Sequence, residues 1–155
     1  MVRLSDLPEH ERAHLLDKNL GPLGPPAWVP PGKPLAERRV ALVTTAGLHR
    51  RADAAFELTD ASYRVLPGEL QGSDLVMSHS SVNFDRSGFA EDVNLVFPID
   101  RFRELADEGA IGGLASNHFS FMGAGLLPEA YEAPARDLAR ILHRDGVDTA
   151  FLTPV

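Results

Sequence analysis

Short apolar runs that alternate with segments of helical periodicity are the feature that most constrains the fold of this chain. They fill residues 39–155, and the first run, "RVALVTTAG", is typical of a buried strand with its exit turn. Strands that alternate with helices predict an α/β domain with a mostly parallel open sheet and helices on both faces, a Rossmann-like or flavodoxin-like layering. The predicted strands are residues 39–47, 63–68, 74–80, 110–116 and 147–152.

Two helices are predicted within this domain. Pro98 suits the first position of a helix, and apolar residues recur at helical spacing as far as Gly109, which suits a helix end. The second helix covers residues 127–146, and Pro134 is expected to kink it. Between them, "NHFSFMGAG" (117–125) is interpreted as a loop that follows a strand.

Residues 1–38 differ in character and are predicted to form an N-terminal helix and a proline-rich arm, separate from the domain at 39–155. The helix is expected over residues 5–18. The arm, "GPLGPPAWVPPGKP", holds six of the twelve prolines, and proline fixes φ and lacks an amide donor, so the arm should be extended. Two interpretations stand: a strap anchored on the domain by Trp28, which we favour, or a recognition segment for a partner.

Composition excludes several classes of function. The 22 acidic against 15 basic residues give a net charge of −7, which argues against nucleic acid as a partner. No apolar run approaches the roughly 20 residues that span a bilayer, and the N-terminus is too charged for a secretory signal. We therefore expect a cytoplasmic protein with no membrane contact. The chain has no cysteine, and so no thiol nucleophile or thiolate metal site of its own.

Small polar side chains follow the predicted strands. Ligands of open α/β sheets bind outside the carboxyl ends of the strands, where such groups can hold a small polar substrate. Each residue alone is better explained by a structural role, but together they predict one site. The candidates for catalysis are His79, Asn117 and His118. The candidates for substrate binding are Thr44, Thr45, Ser78, Asn94, Ser116, Ser120 and Thr153.

Other chemistries find little support in the sequence. His79, Asp85, Asp92 and His118 together could ligate a metal, but their spacing matches no metal motif, and we predict none. The glycine spacing of a dinucleotide loop, the lysine of a phosphate loop and the pattern of a nucleophile elbow are missing. A metal-dependent hydrolase using the two histidines remains the weakest alternative.

Several stretches resemble the selenoprotein B family of glycine, sarcosine, betaine and D-proline reductases, most closely its short D-proline-reductase-type subunit. The resemblance runs from about residue 36 to residue 155 and is most specific in the fourth of these stretches. They are "RVALVTTAGLH", "SYRVLPGEL", "MSHSSVNFD", "DVNLVFPIDRFRELADEGAIGGLASNHFSFMG" and "DGVDTAFLTPV".

The resemblance implies a reductase subunit that cleaves a small amine or amino acid with a dithiol/disulfide couple. In that family, the phrase similar to "DGVDTAFLTPV" is followed by selenocysteine or cysteine, the nucleophile. Selenocysteine is encoded by UGA, so our hypothesis is that translation, or its annotation, stopped at that codon after Val155. The domain would then be truncated at its C-terminal end and inactive alone.

The resemblance also implies partners. No cofactor is expected in this chain, but a pyruvoyl group on a partner subunit and a thiol reductant protein are implied. His79 or His118 would stabilise the selenolate or protonate the departing amine. A non-catalytic binding or assembly subunit of the same fold is the alternative. Because the last strand should expose apolar surface, we expect marginal stability or oligomerisation.

Overall fold

The computed structural model describes most of the chain and separates it into two units, residues 1–30 and 31–155. The described residues are 3–17, 21, 24–26, 28–81 and 86–155. The boundary predicted after residue 38 and the anchoring role of Trp28 stay predictions. No helix of the described residues is long and apolar enough to cross a membrane.

The first unit contains one α-helix, α1 (Glu9–Leu16), in its described part. The helix begins later than predicted because Pro8 disfavours helical backbone at Leu7, which is extended. Before it, Leu4–Asp6 form a single 3₁₀ turn, in which the Asp6 carboxylate accepts from the Arg3 N–H at 2.9 Å. The predicted end at residue 18 lies outside the described residues.

The second unit contains the strands and the remaining helices. Its strands are β1 (Arg39–Thr44), β2 (Leu48–Arg50), β3 (Tyr63–Pro67), β4 (Leu75–Met77), β5 (Gly113–Leu114), β6 (Asn117–Phe121) and β7 (Thr149–Thr153). Its α-helices are α2 (Ser87–Glu91), α3 (Ile99–Asp107) and α4 (Glu132–Arg144).

The main sheet is built around β1. Along one edge β1 pairs in parallel with β7, from Val40 opposite Thr149 to Thr44 opposite Thr153. Along the other edge it pairs in parallel first with β5 and then with β6, because β7 already occupies the opposite edge at these residues. Strand β3 joins the outer edge of β6 in antiparallel orientation. The sheet is therefore mixed but mostly parallel, which confirms the predicted α/β class.

Strand β6 was predicted to be a loop, and that prediction was wrong. His118 and Ser120 interrupt its apolar pattern, yet both side chains are completely buried within the sheet. Each accepts a hydrogen bond from a backbone N–H, from Leu42 and from Leu48 respectively, which compensates for part of the cost of their burial. The predicted strand at 110–116 shrinks correspondingly to Gly113–Leu114.

Strand β4 was correctly predicted near residues 74–80 but does not belong to the main sheet. It pairs in antiparallel orientation with β2, with Leu48 opposite Met77 and Arg50 opposite Leu75. Strand β2 is not predictable from the local pattern, because its three residues follow β1 after a short turn and show no clear alternation.

Helices cover both faces of the sheet, as predicted. Successive side chains of β1 point to opposite faces. Leu42 belongs to a core that contains Phe97 and Ile99, at the start of α3. Val43 packs on the other core, where Phe119 meets Leu138 of α4.

The outer edge of β7 is unpaired among the described residues, and its side chains are open to solvent. Phe151 is 41% exposed and Leu152 is 67% exposed. The predicted exposure of apolar surface on the last strand is therefore confirmed, and the expected oligomerisation stays a prediction.

Candidate functional site

The carboxyl ends of β1, β6 and β7 meet at one edge of the sheet because the three strands are parallel and in register. The loop after β4 joins them through Gly47: its N–H donates to the Phe121 carbonyl at 2.8 Å, and its carbonyl accepts from the Ser78 N–H at 2.9 Å. We call this edge the carboxyl-end rim. Of the predicted site residues, it brings together Thr44, Thr45, Ser78, His79, Ser120 and Thr153.

Gly47 allows the loop after β4 to approach β1 closely. Its φ is +64°, a conformation that side chains disfavour. A Cβ at this position would lie 2.9 Å from the backbone nitrogen of His79 and 3.1 Å from its Cα. The placement of His79 at the rim therefore depends on a glycine in the preceding turn.

Thr45 fastens the end of β7 to the turn after β1. Its N–H donates to the Thr153 carbonyl at 3.1 Å, and its Oγ1 accepts from the Val155 N–H at 2.9 Å. Gly123 lies against the other side of Thr45, where a Cβ would come within 2.6 Å of the Thr45 carbonyl oxygen. The backbone after β7 is thus held at the rim by one side chain and one amide.

Thr44 and Ser120 are the fully buried members of the rim. Thr44 Oγ1 donates to the Val96 carbonyl at 2.8 Å and accepts from the Ala46 N–H at 3.1 Å. Ser120 Oγ accepts from the Leu48 N–H at 2.7 Å. Both side chains are completely buried and satisfy backbone groups of the turn after β1.

His118 does not reach the rim. Its side chain lies in the core, edge-on to Phe97, with 5.8 Å between ring centroids. Its Nδ1 accepts from the Leu42 N–H at 3.0 Å, at the break in pairing between β5 and β6. Burial, followed by the positive charge of Arg103, lowers the pKa of His118 to about 4. The imidazole is therefore neutral near pH 7 and occupies a structural position.

Ser116 and Asn117 lie at the amino end of β6, at the opposite end of the strand from the carboxyl-end rim. Asn117 begins β6, opposite Pro67 of β3, so it sits at the amino end of a parallel strand. Ser116 Oγ accepts from Nη2 of Arg39 at 2.8 Å, and the Ser116 N–H donates to the Asp145 carboxylate at 3.2 Å. The predicted strand at 110–116 placed these two residues after its carboxyl end. They lie instead at the amino end of β6, so the prediction that they belong to the site at the carboxyl ends was wrong.

Asn94 lies in the 3₁₀ turn Val93–Leu95, and its side chain reaches the first turn of α3. Its Oδ1 accepts from the Asp100 N–H at 3.0 Å, and its Nδ2 donates to the carboxylates of Asp92 and Asp100 at 2.8 and 3.1 Å. These bonds satisfy a free amide in the first turn of the helix. Substrate binding by Asn94 stays a prediction.

His79 is almost completely buried at the rim. Its Nδ1 accepts from the Ser81 N–H at 3.2 Å. Burial lowers the pKa of His79, and the neighbouring positive charge of Arg86 lowers it further. The neutral imidazole is the favoured form, so His79 offers hydrogen bonds at the rim rather than charge.

Two functional candidates at the rim, Arg86 and His49, were not among the predicted site residues. Arg86 donates from Nη2 to the carbonyls of His79 and Ser81, at 2.6 and 3.1 Å, and forms no ion pair with a described carboxylate. His49 places Nε2 at 2.6 Å from Ser78 Oγ. Prediction of His49 would have required recognising strand β2, because the pairing of β2 with β4 places His49 beside Ser78.

The described residues contain no group of three or more histidine, aspartate or glutamate side chains arranged to hold a metal ion. Of the four residues considered as ligands in the sequence, Asp85 lies outside the described part, and His79 and His118 lie in different places, at the rim and in the core.

Comparison with known proteins gives a consistent set of relatives. The model of the family described as glycine/sarcosine/betaine reductase selenoprotein B (GRDB) matches residues 26–155. The D-proline reductase subunit gamma of Acetoanaerobium sticklandii is 42% identical over 131 residues, which cover 83% of this chain and 53% of that protein.

Two further relatives are more distant. The sarcosine reductase complex component B subunit beta of Peptoclostridium acidaminophilum is 29% identical over 81% of this chain. The glycine reductase complex component B subunit gamma of Symbiobacterium thermophilum is 32% identical over 80%. The chain spans about half the length of the first relative and 30% of these two. No solved structure matches the chain.

Proposed function

Because the chain belongs to the glycine/sarcosine/betaine reductase selenoprotein B family, we propose that it is a reductase subunit that cleaves a small amine or amino-acid substrate. A dithiol/disulfide couple would supply the electrons. The most similar of the relatives described above is a D-proline reductase subunit, and the others belong to sarcosine and glycine reductases. The substrate is therefore proposed to be a small amino acid or a close derivative of one.

The observation that carries the proposal is the position of Val155. Its N–H is bound to Thr45 Oγ1 at 2.9 Å, at the rim that also holds Ser78 and His79. We propose that a selenocysteine or cysteine follows Val155 directly. That residue would supply a chalcogen nucleophile, which displaces nitrogen from carbon. Thr45 would then fix the backbone that carries it.

Arg86 supports a substrate or a nucleophile with negative charge. Its guanidinium is held by two backbone carbonyls and forms no ion pair with a described carboxylate, and a guanidinium suits a carboxylate because it can donate two parallel hydrogen bonds. The substrates named by the family are small molecules that carry a carboxylate. In this proposal Arg86 binds that carboxylate.

His79 contributes through hydrogen bonds. Its lowered pKa disfavours the imidazolium form, which argues against its use as the acid that protonates a departing amine. A neutral imidazole can still orient a substrate or solvate the nucleophile. The partners implied by the family resemblance, a pyruvoyl-bearing subunit and a thiol reductant protein, and the cytoplasmic location remain parts of this proposal.

The codon after Val155 tests the nucleophile. We expect UGA, or a cysteine codon, with an open reading frame that continues downstream. UAA or UAG, or no coding sequence beyond it, contradicts the proposed nucleophile and favours a non-catalytic binding or assembly subunit.

Activity of the full gene product tests the reaction. With its partner subunits present, D-proline, sarcosine, glycine and betaine are offered in turn with dithiothreitol as reductant. We expect substrate-dependent oxidation of the thiol for at least one of the four, abolished when the residue after Val155 is replaced by serine. Binding of a substrate without any thiol oxidation would support the binding-subunit alternative instead.

A further inference from the structure

We propose that His49 and Ser78 form a proton relay that recognises the N–H of the substrate, so that the rim selects primary and secondary amines over quaternary ammonium compounds. This inference rests on the proposed function for the identity of the site, and it adds the substrate class. It also adds one positioning residue, His49, which acts through Ser78.

The pairing of β2 with β4 brings the two side chains together. His49 lies opposite Val76, and Ser78 follows Val76 by two residues, so His49 and Ser78 project from the same face as diagonal neighbours. The backbone pairing continues through the Ser78 N–H, which donates to the Gly47 carbonyl. The imidazole spans the diagonal and reaches Ser78 Oγ at 2.6 Å.

The second ring nitrogen determines the direction of this hydrogen bond. His49 Nδ1 lies 2.8 Å from the carbonyl oxygen of Arg50, which can only accept. In the neutral imidazole Nδ1 therefore carries the hydrogen, and Nε2 is left as an acceptor. It follows that the Ser78 hydroxyl donates its hydrogen to His49.

The imidazole is held firmly in this orientation. His49 is 5% exposed and packs edge-on against Phe56, with 6.4 Å between ring centroids. Phe56 is covered by the guanidinium of Arg64, 4.2 Å from its centroid. His49 interacts electrostatically with Asp53, whose carboxylate forms an ion pair with Arg50 at 2.7 Å.

Ser78 is left with lone pairs and no hydrogen to offer. Ser78 as a residue is partly exposed at the rim, and its hydroxyl accepts no hydrogen bond from the described residues. It can therefore bind a ligand only through a donor, and an ammonium with at least one N–H is such a donor. A trimethylated ammonium has none and would leave this acceptor unpaired.

The same geometry moves a proton. A substrate ammonium gives a proton to Ser78 Oγ as the hydroxyl proton of Ser78 passes to His49 Nε2. The products are the free amine and an imidazolium, whose Nδ1–H still donates to Arg50. In the reverse direction the imidazolium returns the proton through Ser78 to a nitrogen that leaves carbon with its bonding electron pair.

Sarcosine and betaine form a matched pair of probes, because they share a carboxylate and differ only in methylation of the nitrogen. Calorimetric titration of the full gene product should show binding of sarcosine about tenfold tighter than betaine, the effect of one hydrogen bond to a charged group. Ser78→Ala should bring the ratio to about one, whereas Ser73→Ala, a control on an exposed turn, should preserve it. Equal binding of the two probes by the wild type, no binding of either, or a ratio unchanged by Ser78→Ala overturns the proposal.

His49→Gln separates hydrogen bonding from proton transfer. The amide oxygen can still accept from Ser78, so the preference for sarcosine should survive, but turnover should fall at least about a hundredfold because the amide cannot take the proton. His49→Ala should lose turnover as well and regain part of it with added imidazole. Full turnover by His49→Gln overturns the relay.

The failures of the two proposals are distinguishable. If no thiol oxidation occurs but the sarcosine preference depends on Ser78, the amine site stands and the reductase function falls. If thiol oxidation occurs and neither His49 nor Ser78 affects turnover or preference, the reductase function stands and the relay falls.

Discussion

The backbone N–H of Val155 donates a hydrogen bond of 2.9 Å to Oγ1 of Thr45, a residue 110 positions earlier in the chain. Thr45 in turn donates its own N–H to the carbonyl of Thr153. The pair of bonds extends the pairing of β1 with β7 past the last paired residues, Thr44 and Thr153. Together they fix the direction in which the backbone leaves β7.

Thr45→Val should release the Val155 backbone from its hydrogen bond to residue 45 while the domain stays folded. Valine keeps the shape of threonine but removes the acceptor, so the Val155 amide should exchange its hydrogen faster while the free energy of unfolding falls by only about 1 kcal/mol. If Thr45 positions a nucleophile, kcat should fall about tenfold and KM should change little. Thr45→Ser, which retains the hydroxyl, is the control, and equal exchange rates in the two variants would contradict this role.

Gly123 should tolerate alanine much less well than Gly109. Both have positive φ, +77° and +71°, so both variants lose about 1 kcal/mol from backbone strain. At Gly109 a Cβ meets nothing within 4 Å, whereas at Gly123 it would lie 2.5 Å from Thr45 Cβ. Urea denaturation should therefore show Gly123→Ala less stable than Gly109→Ala by at least about 2 kcal/mol. Equal losses of stability would show that the backbone around Thr45 can shift to accommodate the added Cβ at little cost.

His118 should make the fold sensitive to acid. Its pKa is lowered from 6.5 to about 4 in the folded chain, so between these values the unfolded chain binds a proton that the folded chain does not. Stability is then complete above about pH 6.5 and falls as the pH drops to about 4, by roughly 3 kcal/mol in total.

His118→Asn tests this directly, because the asparagine oxygen can accept from the Leu42 N–H but cannot titrate. The difference in unfolding free energy between wild type and variant should shrink by roughly 3 kcal/mol when urea denaturation at pH 7 is repeated near pH 4. His143→Asn on exposed α4 is the control. A difference that is constant across this pH range would contradict the burial of a neutral imidazole.

Thr44→Val should be strongly destabilising although it is nearly isosteric. It removes the hydroxyl that serves both the Val96 carbonyl and the Ala46 N–H, and leaves two buried polar groups unsatisfied. The expected cost is about 3 kcal/mol in the free energy of unfolding, against about 1 kcal/mol for Thr44→Ser, which loses only a buried methyl group. The reverse order of stability would show that the methyl group, and not the hydroxyl, is what this position requires.

Arg86 should affect substrate affinity more than turnover. Arg86→Gln removes the positive charge and should raise KM for a carboxylate substrate at least about tenfold, with a smaller change in kcat. Arg51 is a matched control, because it also donates to a backbone carbonyl, that of Ser73, and forms no ion pair with a described carboxylate. Equal effects of Arg86→Gln and Arg51→Gln on KM would contradict the proposal that Arg86 binds the substrate carboxylate.

The alternation of apolar runs and helical segments was sufficient to predict the α/β class, β1, β3, β7 and both long helices, because burial imposes those periodicities locally. It failed at β6, where the buried residues His118 and Ser120 are polar and are compensated by backbone amides from other strands. Nothing in the local pattern of residues 117–121 records that compensation.

The sequence by itself determined which residue types were available to a site at the ends of parallel strands, and Thr45, Ser78, His79 and Thr153 do meet there. Tertiary structure decided which of the predicted residues lie together. Register placed Asn117 at the amino end of β6, burial turned His118 into a structural acceptor, and the separate pairing of β2 with β4 brought His49 to Ser78. These outcomes depend on hydrogen bonds between residues far apart in the chain, which side-chain periodicity does not encode.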